Sequence, residues 1–580
     1  MHEFKVWAPG ANKVAVKVGE ELHAMEGPGE RGWWKALVAN AGPGSDYGFQ
    51  LNDDPAVYPD PRSLWQPRGV HAASRVYDQS AYVWHDVHWQ APPLASAIHY
   101  EMHVGTFTPA GTLDSAIERL DFLLELGVTH IEVMPVAAFP GDRGWGYDGV
   151  DLFAVTENYG GPDALKRFVD ACHVRGLAVV LDVVYNHFGP VGAYAGKFGP
   201  YLTNRHCTPW GDAVNFEAAG SDEVRRFFCD NALMWMRDFH IDGLRLDAVH
   251  EIVDRSAIHF LEQLAAEVEV LGVTLGGQRV LIAESDLNDP RVVRPREAGG
   301  YGIDAQWSDD FHHALFTLLH QEEIGYYSDF GSFAKLVKSL THIFVYDGAY
   351  SAYRRRHHGR PVEGLSAHHF LGFIENHDQV GNRATGDRLE QMVGMECAKV
   401  AAGILMTAPF VPLIFQGEEF AASTPFLYFA DHEDPEMAKL VSAGRKREFA
   451  AFGFAEREVP DPEARDTFER CKLNWREIGG GRHAEMLEWY RSLIRLRRRS
   501  YSLNDGQSGH TSVRCSEPDR WLVMDRGGVQ VLVNLGEQDA SFDVPEGFRV
   551  ALISRDGIIA DAGKISLPPT TLAVLSAEPE

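Results

Sequence analysis

The chain has 580 residues, a formal net charge of −28 and a pI near 5.3. That length predicts several units, one of them large enough to be a barrel. The acid excess argues against nucleic acid or an anionic membrane as partner, because both require a basic surface, and leaves a neutral partner. Six cysteines (Cys172, Cys207, Cys229, Cys397, Cys471 and Cys515) lie without CxxC pairs or short regular spacing. They predict free thiols in a reducing compartment rather than a zinc site or disulfide scaffold.

The start, MHEFKVWAPG, carries Glu3 and Pro9 where a signal peptide needs a basic start and a long apolar run, so a cytoplasmic protein is expected. Residues 1–92 are rich in Gly, Pro and Trp, with alternation in VAVKV and short turn-separated segments such as YGFQL; they predict an N-terminal β-sandwich. From 93 to 504, apolar strand-length runs alternate with amphipathic helices. IHYEMHVGTF leads to TLDSAIERLDFLLELG, whose Leu113, Ala116, Ile117, Leu120, Leu123 and Leu124 keep helical spacing. THIEVMPV, LAVVLDVVYNH, GLRLDA, RVLIAES, DAQWSDDF, HFLGFIENHD and PLIFQGEE continue the strands. Eight strand candidates predict a catalytic (β/α)8 TIM barrel, with a loop excursion at about 186–220. AAGILMTAPFVPLIF is the most apolar stretch, but Pro409 and Pro412 break it below the ~20 residues of a membrane helix, and it reads as a buried helix followed by a buried strand. After the helix EMLEWYRSLIRLRRR, residues 505–580 predict a C-terminal antiparallel β domain of sandwich type.

Reacting groups of such a barrel project from the carboxyl ends of its strands. Asp182, Asn186 and His187 close the third strand, Arg245 and Asp247 the fourth, Glu284 the fifth, Asp309 and Asp310 the sixth, His377 and Asp378 the seventh. Clustered carboxylates suit glycosidic bond cleavage, in which one protonates the leaving oxygen while another attacks the anomeric carbon or stabilises its charge. An Arg two residues before Asp247 on a strand points to the same face and favours its ionised form, whereas a general acid must hold its proton near neutrality.

The segments DVVYNH, GLRLDAVH, IAES and IENHD, in that order, resemble the four signature regions of the α-amylase superfamily of glycoside hydrolases. The Pro-laced passage YPDPRSLWQPRGVHAAS resembles the segment that closes the N-terminal sandwich in enzymes of the isoamylase and branching-enzyme type. The resemblance implies Asp247 as nucleophile, Glu284 as proton donor and Asp378 as transition-state stabiliser. It also implies that His187 and His377 bind hydroxyls of the sugar at the cleavage point, with Tyr147 of RGWGYDG stacked beneath that ring and Asp148 close by. The flanks WSDDFHHAL, IENHDQVGNRATGDRL, FQGEEFAASTPFLYFADH and GRKREF resemble the maltooligosyltrehalose trehalohydrolase family, nearly along the whole chain. That family hydrolyses the α-1,4 bond beside the terminal trehalose of maltooligosyltrehalose by a retaining double displacement, with the two reacting carboxyls ~5 to 5.5 Å apart.

By the same resemblance, substrate contacts extend over Arg245, Leu246, Ala248, Val249 and His250; over Asp309, Asp310, Phe311, His312 and His313; and over His377, Gln379, Val380, Gly381 and Asn382. Three residues keep two readings. Asp182 either fixes a loop or Arg245 or touches substrate, His250 either supports the site or meets sugar, and Trp307 either stacks on a sugar or is a buried barrel aromatic. His312 and His313 are adjacent, so they are expected to diverge rather than share a metal ion. No cofactor is expected. The stretch from Asn186 to Asn215 has no dense run of Asp and Asn, which leaves structural calcium open. The rivals are a branching or debranching enzyme with the same carboxylates, although the motif here is Asn376-His377-Asp378-Gln379 rather than Ser-His-Asp-Glu, and a non-catalytic glycan-binding protein, although no catalytic carboxylate is missing. Functional coupling to a maltooligosyltrehalose synthase is implied by the substrate.

Overall fold

The computed structural model describes residues 1–321, 323–450, 459–561 and 563–579. Its centre is a closed barrel of eight parallel strands: β1 (His99–Met102), β2 (His130–Val133), β3 (Ala178–Val183), β4 (Gly243–Leu246), β5 (Val280–Ala283), β6 (Ala305–Trp307), β7 (Phe370–Phe373) and β8 (Val411–Phe415). Each overlaps a strand segment expected from the apolar runs, the eighth starting one residue before PLIFQGEE. Sequential neighbours pair in order, and β8 pairs with β1 to close the ring. Helices cover the outside, including Gly161–Val174, Ser221–Asp238 and Phe260–Leu275. Leu113–Ile117 and Leu120–Leu126 are two helices where one was expected; Leu113, Ala116, Leu120 and Leu123 remain buried on a shared face across the join. The apolar run before β8 forms the helix Met395–Thr407, which leads through Pro409 into the strand.

Pairing register divides the barrel interior. His99 lies opposite His130 and Glu101 opposite Glu132, so β1 and β2 send polar side chains inward, joined by Asp182 opposite Arg245 on β3 and β4. On the remaining strands the inward residues are apolar: Ile282, Ala305, Trp307, Leu371, Phe373, Val411 and Leu413 pack as one cluster with Val180.

Before the barrel, His2–Trp7 pairs with Trp33–Val38, and a four-stranded antiparallel sheet carries Val14–Val18 and Asp46–Leu51. After the helix Gly481–Arg499, a five-stranded and a three-stranded sheet enclose a core of Val523, Leu532, Ile565 and Leu575. Two insertions rise over the carboxyl ends of the barrel strands. The excursion after β3 contains an antiparallel hairpin, Leu202–Thr208 with Gly211–Val214. A second, between β6 and β7, carries the helix Phe333–His342 and the hairpin Asp347–Ser351 with Arg356–Gly359.

Candidate active site

The ends of β3, β4 and β5 meet on one guanidinium. Arg245 is fully buried, and its Nη1 donates to Asp182 Oδ2 (2.9 Å) and Asp247 Oδ1 (3.0 Å), while Nη2 donates to Glu284 Oε2 (2.8 Å). Two donors from one planar fork hold the Asp247 and Glu284 carboxylates as immediate neighbours. Asn186 Nδ2 donates to the other oxygen of Asp247 (2.7 Å). At Ala248 the backbone turns into the left-handed region (φ 38°), which a residue with a Cβ adopts only when its surroundings hold it there. The turn aims the Ala248 amide at Glu284 Oε2 (2.9 Å), and Val249 N donates to the Glu284 carbonyl (2.9 Å). Oε2 of Glu284 thus accepts from both a guanidinium and an amide, so a proton on this carboxyl belongs on Oε1.

A second chain of hydrogen bonds runs from β1. Glu101 accepts from His377 Nδ1 and from the His377 amide (3.0 Å), and His377 Nε2 lies 2.8 Å from Tyr147 Oη. Tyr147 in turn donates to Asp182 Oδ2 (2.7 Å). Because its own proton goes to Asp182, Tyr147 accepts from His377, and both imidazole nitrogens of His377 are donors. Its charge follows: burial alone lowers the His377 pKa, but Glu101 and Asp378 more than offset that and push it up to about 9. Asp182 responds mainly to burial, which raises its carboxyl to about 8 against the pull of Arg245. Its contacts are to Arg245 and Tyr147, which favours the fixing role for Asp182.

Asp378 opens the helix His377–Gly381, is partly exposed, and accepts from Asn382 Nδ2 (3.0 Å). It shares a cleft of about 580 Å³ with Glu284, Asp309, His313, Gln379 and Asn382. Burial and the neighbouring Glu284 and Asp378 carboxylates push the Asp309 carboxyl well above its usual range. His187 stacks flat on Trp210 (4.4 Å between centroids, 2° between planes), and burial lowers it to about 4. A neutral ring has one N–H, so it satisfies only one of its two acceptors, Asn186 Oδ1 and Tyr147 O. Asp148 lies 3.9 Å from His432 Nε2, and His432 is fixed by Glu463 (2.7 Å). His250 Nδ1 accepts from the Asp286 amide (3.3 Å), a supporting contact.

Several expected substrate contacts have other partners. Leu246, Val249, Phe311 and Val380 are buried core residues. Gly381 is required by close packing, because a Cβ there would lie 2.1 Å from Trp145 Cζ2. The sixth-strand cluster splits in two. Asp309 and Asp310 stand in the first turn of the helix Asp309–His320 rather than on the strand, which stops at Trp307. Asp309 and His313 then face the cleft, whereas Asp310, though at its edge, is buried and accepts from Asn288 Nδ2 and the amides of Val345 and Tyr346, pinning the second insertion. His312 is buried against Phe316 and Phe373. The two imidazoles approach instead of diverging, with Nδ1 atoms 3.0 Å apart. Burial lowers both pKa values, His313 to about 3, so they pair as neutral donor and acceptor. Trp307 lies beneath Arg245, whose guanidinium carbon is 4.3 Å from the ring centroid.

Sequence reasoning missed the outer wall of the cleft: Tyr326, Tyr327, Tyr346, Tyr353 and Arg354 from the second insertion, with Arg354 paired to Asp286 (2.9 Å). Trp210, half exposed on the first hairpin, and Glu101 beneath His377 were also missed. Glu101 stood in the strand segment IHYEMHVGTF, where a carboxylate facing the barrel interior was the available signal. Among the described residues, no three His, Cys, Asp or Glu side chains gather closely enough to hold a metal ion.

Comparison with known proteins agrees with this arrangement. Residues 76–199 match the alpha amylase catalytic domain, and residues 506–574 match a domain of unknown function, DUF3459. The chain is 47% identical over 580 residues to malto-oligosyltrehalose trehalohydrolase of Rhizobium sp. (strain M-11), covering 99% of this chain and 97% of the relative. It is 30% identical over 478 residues to the 1,4-alpha-glucan branching enzyme GlgB of Rhodospirillum rubrum, covering 72% of this chain and 59% of that one. A crystal structure from Salmonella typhimurium, provisionally described as an alpha amylase, superposes with a TM-score of 0.91 at 37% identity over 99% of this chain and 97% of the other. With identity of that order along its whole length, the chain belongs to the malto-oligosyltrehalose trehalohydrolase family of the α-amylase superfamily.

Proposed function

We propose that the protein hydrolyses the α-1,4-glucosidic bond adjoining the terminal trehalose of maltooligosyltrehalose, releasing trehalose and a maltooligosaccharide. The observation that carries this reading is the full-length likeness to relatives named for that activity, against a shorter and weaker likeness to a branching enzyme. The guanidinium-bridged carboxylates supply the chemistry. Asp247 attacks the anomeric carbon of the glucose at the cleavage point while Glu284, from Oε1, protonates the departing 4-oxygen of trehalose. The C–O bond breaks and a glycosyl ester on Asp247 remains. Glu284 then takes a proton from water, whose oxygen displaces Asp247 and frees the maltooligosaccharide. Arg245 holds Asp247 aimed through its hydrogen bond to Oδ1. Asp378, partly exposed in the same cleft, stabilises charge at the anomeric carbon.

His377, held as a cation, and His187 bind hydroxyls of that sugar, with Tyr147 beneath it and Asp148 beside it. Asp309, His313, Gln379 and Asn382 face the leaving trehalose, which has no free anomeric carbon and a folded shape, and so needs several hydroxyl partners. The substrate must come from a maltooligosyltrehalose synthase, to which this enzyme is functionally coupled. All six cysteines are free thiols, the state that a reducing cytoplasm maintains. No helix among the described residues is long and apolar enough to cross a membrane. Incubation of the purified protein with maltooligosyltrehalose and, separately, with amylose tests the reading. Free trehalose from the first with little action on the second is expected, and new α-1,6 branch points would overturn it.

A further inference from the structure

Trp307 ends β6 with its ring in the barrel interior, 2% exposed, where no sugar reaches it. The Arg245 guanidinium carbon lies 4.3 Å from the ring centroid, and the His377 ring lies 6.0 Å away at 54°. Both cations of the site therefore border one indole, whose negative face attracts positive charge more strongly than Phe or Tyr and does so best when desolvated. Apolar side chains pack around Trp307 as well: Phe373 at 5.3 Å, and Ile282, Leu371 and Leu413 in the same cluster. The acceptors Asp182, Asp247 and Glu284 take hydrogen bonds from the terminal nitrogens of Arg245, and Glu132 on β2 interacts with the guanidinium from within the barrel.

We infer that Trp307 is a positioning residue for the reaction, an aromatic support that holds the Arg245 guanidinium at the height and tilt from which it bridges Asp247 and Glu284. Without it the guanidinium settles into the space left by the indole, and its bonds to the two carboxylates lengthen. Asp247 then loses a donor to Oδ1 and Glu284 a donor to Oε2. The ionisable groups facing Arg245 from the elements around it are Asp182, Asp247, Glu284, Tyr147 and Glu132, with His377 across the indole. Replacing Trp307 changes none of these directly.

The inference rests on Asp247 and Glu284 being the reacting carboxylates. Hydrolysis of maltooligosyltrehalose by the wild-type enzyme, and its loss in Asp247→Ala, check that assignment separately. The test compares Trp307→Leu and Trp307→Phe with wild type in full pH profiles of kcat and kcat/KM. Trp307→Leu is expected to lower kcat roughly 10- to 100-fold with KM within about twofold, the pattern of an interaction made in the transition state. The acid limb of its kcat/KM profile should move up by about half to one pH unit as the guanidinium recedes from the carboxylates it bridges. Trp307→Phe, which keeps an aromatic face, should recover most of kcat and place the limb between the other two. A raised KM with unchanged kcat would make Trp307 a sugar platform and overturn the inference. So would a fall in kcat with the acid limb unmoved, which is what loosened packing alone produces. If the Leu variant does not fold, Trp307→Phe and Trp307→Tyr carry the test by the same limb position, and wild-type limbs in both would overturn it.

Discussion

The barrel interior has two unlike sides. On β1 to β4 the inward positions hold His99, Glu101, His130, Glu132, Asp182 and Arg245, all at most 2% exposed. On β5 to β8 they hold Ile282, Ala305, Trp307, Leu371, Phe373, Val411 and Leu413, equally buried. Charge on the first side is costly to bury and persists because most of it is hydrogen-bonded in a chain from Glu101 to Glu284. The second side contributes packing and a low-dielectric wall that strengthens those charge contacts. Substitutions on the two sides should therefore fail differently: the polar side in turnover and pH dependence, the apolar side, apart from Trp307 beneath Arg245, in stability.

The largest effect belongs at the bridged carboxylates. Asp247→Ala is expected to reduce hydrolysis by about four orders of magnitude while circular dichroism and melting stay close to wild type; appreciable residual turnover would break the assignment. On the apolar side, Leu413→Ala leaves a cavity in a fully buried position and should cost about 2–5 kcal/mol in denaturant unfolding, with the kcat of the folded fraction nearly unchanged. A kcat loss comparable to that of Asp247→Ala would erase the distinction between the sides.

Glu101→Gln sharpens the comparison on the polar side. It removes the counter-charge of His377, so kcat should fall roughly tenfold, the scale of one charge-assisted hydrogen bond. The folded pKa of His377 lies above its ordinary 6.5, so its contribution to stability is complete below about pH 6.5 and is lost as pH rises through about 9. Glu101→Gln should flatten the stability–pH curve over that window, and an unaltered decline would show that His377 is not its source.

The smallest effect is expected at Glu132, where burial and the nearby Glu101 carboxylate raise the pKa from 4.5 to about 8. The unfolded chain releases this proton near pH 4.5 while the folded one retains it, so stability falls as pH rises from about 4.5 to about 8. Glu132→Gln should raise Tm at pH 8 by roughly a few degrees and leave it unchanged near pH 4.5. An equal shift at both pH values would point to packing instead.

Much of this division was legible in the sequence because strand periodicity and strand-end carboxylates are local signals. All eight barrel strands, and the polar groups beyond β3, β4, β5 and β7, stand where the apolar runs end. QWSDDFHH shows where legibility stops. Its residue types suggested one sugar-binding rim, but a helix begins at Asp309, and helical geometry sends Asp309 and His313 to the cleft while burying Phe311 and His312. Trp307 has the same composition signal whether it stacks on sugar or on Arg245, and only the closing of the barrel brings residues 62 positions apart face to face. The Tyr353 and Arg354 wall was hidden for a similar reason: it sits on an irregular insertion whose position depends on distant contacts such as Asp310 to Val345.

The most direct test of the double displacement at Asp247 is proton NMR of the reducing end newly formed on the maltooligosaccharide during the first minutes of hydrolysis of maltooligosyltrehalose. Retention through a glycosyl ester predicts that the α-anomer accumulates first and mutarotates later to the equilibrium mixture. Initial appearance of the β-anomer would mean a single inverting displacement by water and would contradict the role assigned to Asp247.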